Sequence, residues 1–587
     1  MRKFQIFTAL ALLAFVLLFS CKSEPTTHWK HNDNTVRVGL PAGIKTLNPY
    51  LYRTSYESTA LNMAYQYLMG FDPKTLELVP QLVKSAPLIQ DITEGKYTGG
   101  QTFTYEILDE AVWDDGKPVT GYDYLFSLKA VFNPKMPTQR FLPYLESLAD
   151  VQVDAANPKK FTVFTKDKYF LAEPAASNWV VLPEHIFDPQ GLMKGFELSD
   201  LTNPEKAATL AGDPRLQQFA DAFTSPKFSR EVVAASGPYA LAEWVDGQRV
   251  VFTKKKNWWG DKLAGRQKLL AAYPDTIVFV PIADQTAAET ELKNENIDVL
   301  LELDPKQFKD LQSNELVNGI FNLYTPPRFV FFYIALNTKN PKLADKRVRR
   351  ALAHTLDMDM VINDLYDGFG ERLTGPFLPD KKYYNKALAP IEMNIEKARQ
   401  LLTDAGWTDT NGNGIVDKTI DGKLVELKIQ CIYNPASSFQ QNLTELLKNN
   451  AQKAGVEIER VQMETNVLRE HMGNRDYEMS AGLGAGATPV PDDPKQFFHT
   501  DSDNPGGSNY SRFGNAESDA LIEAIRNAPD EAARNGLYLK FQEVLYDEQP
   551  LIFLFAPKDR IAVHKRFEAT ITRNSPGVSL ELLKLVK

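Results

Sequence analysis

Apolar and polar positions alternate along this chain with two periods, and the switch between them outlines the elements. Period-two stretches predict half-buried strands at Arg37–Leu40, Thr102–Leu108, Lys160–Phe164, Arg249–Thr253 and Thr276–Val280. Helical spacing follows Thr120, an N-cap with Asp123 three residues on, and sets Tyr124, Leu128, Val131 and Phe132 on one face. Residues 285–296 read as helical and lead into the apolar run Ile297–Leu301. Further on, Val330–Leu336 is a strand candidate. Asp345 caps a helix facing Val348, Leu352, Thr355 and Leu356 inward. Asn394 caps another, which turns Ala398, Leu401, Leu402 and Ala405 inward and stops at Gly406. Leu427–Ile432, residues 437–454 and Val456–Val461 then read strand, helix, strand. Such alternation over several hundred residues predicts an α/β chain with covered sheets. There is no internal repeat and no low-complexity segment.

The first twenty residues have a different pattern. Arg2 and Lys3 precede an apolar run from Ile6 to Phe19, too short to span a bilayer comfortably and suited to a signal peptide over 1–20. The run ends in Leu18-Phe19-Ser20-Cys21. A small residue before a cysteine resembles a lipobox, so Cys21 is the expected lipid attachment point. The polar, aperiodic stretch 21–34 is the expected tether. The other reading is a plain secretory signal with an incidental cysteine.

Length and charge narrow the function. At 587 residues the chain is too long for one core, so two or three domains are expected. The net charge of -9 falls to -11 once Arg2 and Lys3 are removed, which argues against a nucleic-acid surface. There are two cysteines. With Cys21 acylated, Cys431 stands alone as a buried small hydrophobe and no disulfide forms within the chain. Gly-x-Ser-x-Gly, His-Glu-x-x-His and Cys-x-x-Cys are all absent, and the seven histidines are scattered. No cofactor is expected, and an envelope hydrolase is the reading of another class with the least support.

Four separate segments carry a resemblance. They are Phe103 to Asp123, with Trp113-Asp-Asp-Gly-Lys-Pro118 at its centre; Ser236-Gly-Pro-Tyr239 with Trp244, Gly247 and Asn257-Trp-Trp-Gly260; Asn337-Thr338 with Asp345 to Leu352; and Glu396 to Trp407. In this order they resemble the dipeptide/oligopeptide family of ABC-importer binding proteins, solute-binding protein family 5. The resemblance implies a type II periplasmic-binding-protein-like clam-shell of two lobes with an extra third domain. It assigns 35–75, 195–300 and 550–587 to lobe I, 76–190 to the extra domain and 301–549 to lobe II. It implies capture of peptides or peptide-like solutes by lobe closure, delivery to an ABC permease, a monomer, and a place in the cell envelope facing the periplasm or exterior. The same fold with a non-peptide ligand (an oligosaccharide or a metal complex such as nickel, or haem) or a sensor role are alternatives.

The resemblance also suggests where ligand binds. Relatives hold an extended peptide by backbone hydrogen bonds and pair its ammonium with an aspartate. The corresponding segment here, Gly482 to Pro494, includes Gly484 and Ala485 but places Val490 where that aspartate is expected. Asp492 would have to substitute for it; the other reading has Asp492 and Asp493 capping a turn before Phe497. Gly43, Ile44 and Lys45 follow the first strand, where backbone N–H groups are available. Asn178 and Trp179 lie in a segment that lines the site in relatives, a core tryptophan being the other reading. Arg372 is a candidate carboxylate clamp or else a solvated surface arginine, and Arg328, at an apparent domain crossing, is a cleft or a hinge residue. Asp409, Asn411, Asn413 and Asp417 have the spacing of a calcium loop, but its twelfth position is Ile420 rather than glutamate. An Asn-Gly hairpin turn accounts for the same residues.

Overall fold

Three separate sheets organise the chain. The computed structural model describes residues 29–505 and 507–586. The expected signal peptide, Cys21 and most of the tether therefore lie outside the described residues. The first sheet has seven strands, in the spatial order Phe321–Tyr324, Ile561–His564, Val299–Leu300, Thr35–Leu40, Thr276–Pro281, Arg249–Lys254 and Tyr239–Val245. Thr35–Leu40 runs parallel to both of its neighbours, with Val36 opposite Ile277 and Val38 opposite Val299. Val36, Val38, Ile277 and Phe279 are fully buried, as strands covered on both faces require.

The second sheet orders five strands as Glu457–Gln462, Lys428–Tyr433, Met479–Gly486, Val330–Leu336 and Leu551–Phe553. Helix Ser438–Lys453, capped by the Ser437 side chain, connects the two parallel strands Lys428–Tyr433 and Glu457–Gln462. Cys431 is buried on this sheet. The third sheet is a four-stranded antiparallel sheet in the spatial order Leu88–Asp91, Gln101–Glu106, Lys160–Thr165 and Leu148–Val153. Helix Gly121–Phe132 packs on it, started by the Thr120–Asp123 capping box that the spacing predicts. One hydrophobic core is continuous from the first sheet to the third, whereas the second sheet has cores of its own. That division leaves two bodies, one of them composite. Among the described residues no helix is long and apolar enough to cross a membrane.

The chain passes between these bodies twice, and the two passages touch. Pro327 bridges to Lys558, the Arg328 N–H donates to the Pro557 carbonyl at 3.2 Å, and Asp559 N–H donates to Pro326 at 2.8 Å. These contacts correct three expected boundaries. Phe321–Tyr324 pairs with Ile561–His564, so residues 301–324 go with lobe I. Leu551–Phe553 and Phe555–Pro557 pair with Val330–Leu336 and Gly370–Arg372, so 550–557 goes with lobe II. Helices Leu198–Leu201 and Pro214–Phe223 pack on the extra domain, where Phe126 meets Phe219 edge-on and Thr202 donates to the Ala149 carbonyl. Short strands and helices do not encode in their own pattern which remote sheet they complete.

Candidate functional site

The two bodies face each other across a cavity of about 550 Å³. Tyr52, Arg140, Phe141, Tyr144, Tyr169 and Trp179 line it from the composite body. Phe331, Phe377, Thr488, Val490, Asp492, Asp493 and Phe497 line it from lobe II. Its walls are largely apolar and rich in aromatic rings, with a few charged groups, as in pockets that bury most of a small ligand.

The aromatic wall is fixed by hydrogen bonds behind it. Trp179 Nε1 donates to Tyr50 Oη at 3.2 Å, and Tyr50 Oη donates to the Ser127 carbonyl at 2.6 Å. Asn178 Nδ2 donates to the Met69 carbonyl at 2.9 Å. Phe141 meets Trp179 edge-on at 5.3 Å. Each buried polar tip therefore has a partner, and the ring faces are left to the cavity.

The loop after Met479–Gly486 supplies the acidic groups, and both are engaged. Tyr383 Oη donates to Asp492 Oδ2 at 2.7 Å, and Tyr383 stacks on Tyr538 at 4.0 Å between ring centres. Lys381 Nζ donates to the carbonyls of Thr488 at 2.6 Å and Val490 at 2.7 Å, and stands 3.7 Å from Asp492 Oδ2. An ammonium belonging to the chain itself thus occupies this turn. Burial pushes the Asp492 carboxyl above its ordinary range, and Lys381 pulls it back only in part. Asp493 is also pushed up by burial and drawn back chiefly by Arg526, whose Nε lies 3.2 Å away. Asp493 Oδ1 also accepts at 3.0 Å the N–H of Lys495, the first residue of the short helix Lys495–Phe498.

Several contacts join the bodies directly. Tyr169 Oη donates to Asp493 Oδ2 at 2.6 Å. Glu146 of the extra domain accepts from Arg526 Nη1 and lies 3.2 Å from Lys495 Nζ. The Arg526 guanidinium lies 4.8 Å over the Tyr169 ring, and Arg534 lies 4.8 Å over Phe170. Farther along, Arg573 pairs with Asp380. The lobes are therefore shut in this structure.

Arg140 differs from the other charges. Its Nη2 donates to the Tyr52 carbonyl at 2.5 Å, and its guanidinium lies 4.5 Å over the Tyr52 ring and 4.1 Å over Phe141. Its Nε is buried without a hydrogen-bond partner, and among the described residues it has no carboxylate partner. Burial lowers its pKa from the usual arginine value, though not enough to discharge a guanidinium.

The structure brings Asn178, Trp179, Val490 and Asp492 to the cavity wall. Gly484 and Ala485 lie on the strand that ends there, paired with Phe332 and Phe331. Its other edge is paired with Lys428–Tyr433 only at Met479 and Ser480, leaving the backbone beyond Gly482 open on that side among the described residues. Gly43 and Ile44 line a separate shallow pocket with Trp244, and the Lys45 N–H donates to Glu57. None of these three lines the cavity between the bodies, because the loop after the first strand turns onto the composite body. Arg328 pairs with Glu302 and Asp559, each at 3.1 Å, at the crossing. Arg372 is held by Glu392 at 2.9 Å and by the Ile391 carbonyl. Neither guanidinium lines the cavity: Arg328 sits at the crossing between the bodies and Arg372 beside Glu392.

In the Asp409 loop, the Asp409 carboxylate accepts N–H groups of Gly412, Asn413 and Gly414, and Asp417 accepts the Thr410 N–H and hydroxyl. The Asn411 and Asn413 amides donate to Glu426. These groups hold a turn that leads into the hairpin Asp417–Ile420 and Lys423–Glu426. Sequence reasoning missed Arg140, Tyr52, Tyr144, Tyr169 and Asp493 as cavity residues. The one signal for Arg140 was a lone cation in the aromatic stretch Phe141 to Tyr144.

A family model described as "Bacterial extracellular solute-binding proteins, family 5 Middle" matches residues 77–509. The oligopeptide-binding protein AppA of Bacillus subtilis is 26% identical over 529 residues, covering 90% of this chain and 87% of that protein. The solved structure of AppA from Bacillus subtilis in complex with a nonapeptide superposes with a TM-score of 0.75 at 24% identity, covering 94% of this chain and 99% of that one. NikZ from Campylobacter jejuni, in complex with Ni(L-His), superposes with a TM-score of 0.74 at 21% identity, covering 94% and 100%.

Proposed function

Because the chain belongs to the bacterial extracellular solute-binding proteins of family 5, we propose that it captures a peptide or peptide-like solute bearing an anionic group. It does so by shutting its lobes, and it then delivers the solute to an ABC permease. Closure, not bond chemistry, is the work of such a site: contacts from both lobes favour the shut state over the open one. The sequence likeness to an oligopeptide-binding protein supports the peptide class. So does the open strand edge beyond Gly482, where an extended backbone adds as a further strand.

The observation that selects the charge is Arg140. Among the described residues, it alone of the charged groups on the wall lacks an ion-pair partner, while Asp492 faces Lys381 and Asp493 faces Arg526. A carboxylate on the ligand completes the guanidinium's hydrogen bonds in a site already shielded from water. Conversely, Lys381 takes the turn where a ligand ammonium would sit, so a free amino terminus is not required. The test is calorimetry on ligand-stripped protein, using the compounds that mass spectrometry finds released on unfolding. Arg140→Met should weaken binding of the anionic compound by about 10- to 100-fold, the worth of a hydrogen bond to a charge. Unchanged affinity would sink the assignment.

The protein acts, on this reading, as a monomer tethered through Cys21 after loss of residues 1–20. Cys21→Ala should leave it in the soluble envelope fraction or unprocessed. Recovery of that variant in the membrane fraction would contradict the anchor.

A further inference from the structure

A second cavity, of about 410 Å³, lies in the composite body on the far side of the aromatic wall. Tyr52, Phe71, Phe141, Asn178 and Trp179 line both cavities. Every other residue around the second falls between 49 and 81, at 180, between 238 and 271, or between 572 and 581. Lobe II contributes nothing to it, so its shape does not depend on closure.

Its polar groups are unevenly satisfied. Tyr67 donates to Asn62, Gln81 accepts the Tyr67 N–H, and Asn178 is held by Met69. Three groups stand apart. Gln66 is 1% exposed; its Oε1 accepts from Ser236, and its Nε2 has no partner. Tyr65 is 2% exposed, and its hydroxyl has no partner. Glu581 is the only charged residue on the lining, and among the described residues no cation pairs with it. Buried native donors are rarely left unsatisfied, and an unpaired half-buried carboxylate is costly. Burial pushes the Glu581 carboxyl upward, opposed only by a hydrogen bond from its own backbone N–H.

We infer that this cavity is a second binding site, for a small organic cation that also carries a hydrogen-bond acceptor. The Glu581 carboxylate pairs with the cation, the Gln66 amide donates to the acceptor, and the Tyr65 hydroxyl takes up whichever partner remains. The aromatic rings of the shared wall add attraction for the cation. The site does not rest on the reading of the cleft, because its ligand class is opposite in charge and it has no lobe II residue.

The test uses L-argininamide, which has a guanidinium, an ammonium and an amide carbonyl. Titration calorimetry on ligand-stripped protein should show one saturable site. Glu581→Gln and Gln66→Leu should each weaken it by about tenfold or more, with a cooperative melting transition in each showing that both variants fold. A crystal soaked with L-argininamide should place the compound between Glu581 and Gln66. No binding at millimolar concentration, parent-like affinity in both variants, or the compound seated in the inter-lobe cavity would each overturn the inference.

Discussion

Replacing Tyr169 by phenylalanine removes one oxygen from the contact between the lobes and leaves the rest of the ring in place. That oxygen donates to Asp493 Oδ2 at 2.6 Å, from the extra domain to lobe II. A hydrogen bond to a charged acceptor is worth about 1.5–3 kcal/mol net. Asp493 keeps Arg526 at 3.2 Å in the variant, so it is not left bare and the lower end applies. About 1.5 kcal/mol corresponds to roughly tenfold in an equilibrium constant. Because the bond forms only when the lobes meet, the whole loss falls on the shut state, and it appears as ligand affinity rather than as stability of either body. Calorimetry with the co-purified ligand should therefore show Kd about tenfold higher, while the ligand-free melting temperature stays where it was. The phenyl ring retains the packing of Arg526, 4.8 Å from the ring centre, so wall shape is not a competing cause. An affinity within about twofold of the parent, or an equal loss in the ligand-free melt, would refute the reasoning.

Two further outcomes follow from buried groups. Burial and the nearby Glu302 push the Asp559 carboxyl up to about 6, although Arg328 opposes the shift. The folded state then holds a proton that the unfolded chain, at 3.8, has released. Stability from this residue is present below about pH 4 and is lost as pH rises through about 6, by at most about 3 kcal/mol. Urea unfolding of Asp559→Asn should lack that part of the pH dependence, and an identical pH profile would contradict it. Burial also pushes the Cys431 thiol up to about 12. Iodoacetamide at neutral pH should label Cys431 only after unfolding, and rapid labelling of the native protein would show that the second sheet opens there.

The regular elements were the legible part of the sequence, because their signals are local. The Thr120–Asp123 capping box, the Asp345 and Asn394 caps and the period-two strands all depend on neighbours within a few residues. Gly406 and Gly455 close their helices with positive φ, a backbone state that glycine adopts without strain. The four family-like segments made the architecture legible in the same way. Sheet membership was not local. Phe321–Tyr324 finds its partner about 240 residues away at Ile561–His564, and no pattern within either strand reports that pairing. The cavity is harder still, since its wall combines loops near 52, 140, 169, 377 and 490 with the strand residue Phe331. Arg372 resembled a ligand clamp because its partner Glu392, 20 residues on, leaves no local sign of the pairing. Arg140 did not, because what distinguishes it is the lack of a partner, and a sequence does not display that.

The central claim is that the two bodies separate and shut around a guest. Small-angle X-ray scattering on the protein stripped of ligand by unfolding and refolding, recorded before and after its released small molecules are returned, tests this directly. The account predicts a smaller radius of gyration once the molecules are back, matching the curve calculated for the shut arrangement described above. Superimposable curves with and without the returned molecules, despite binding verified by calorimetry on the same samples, would contradict it.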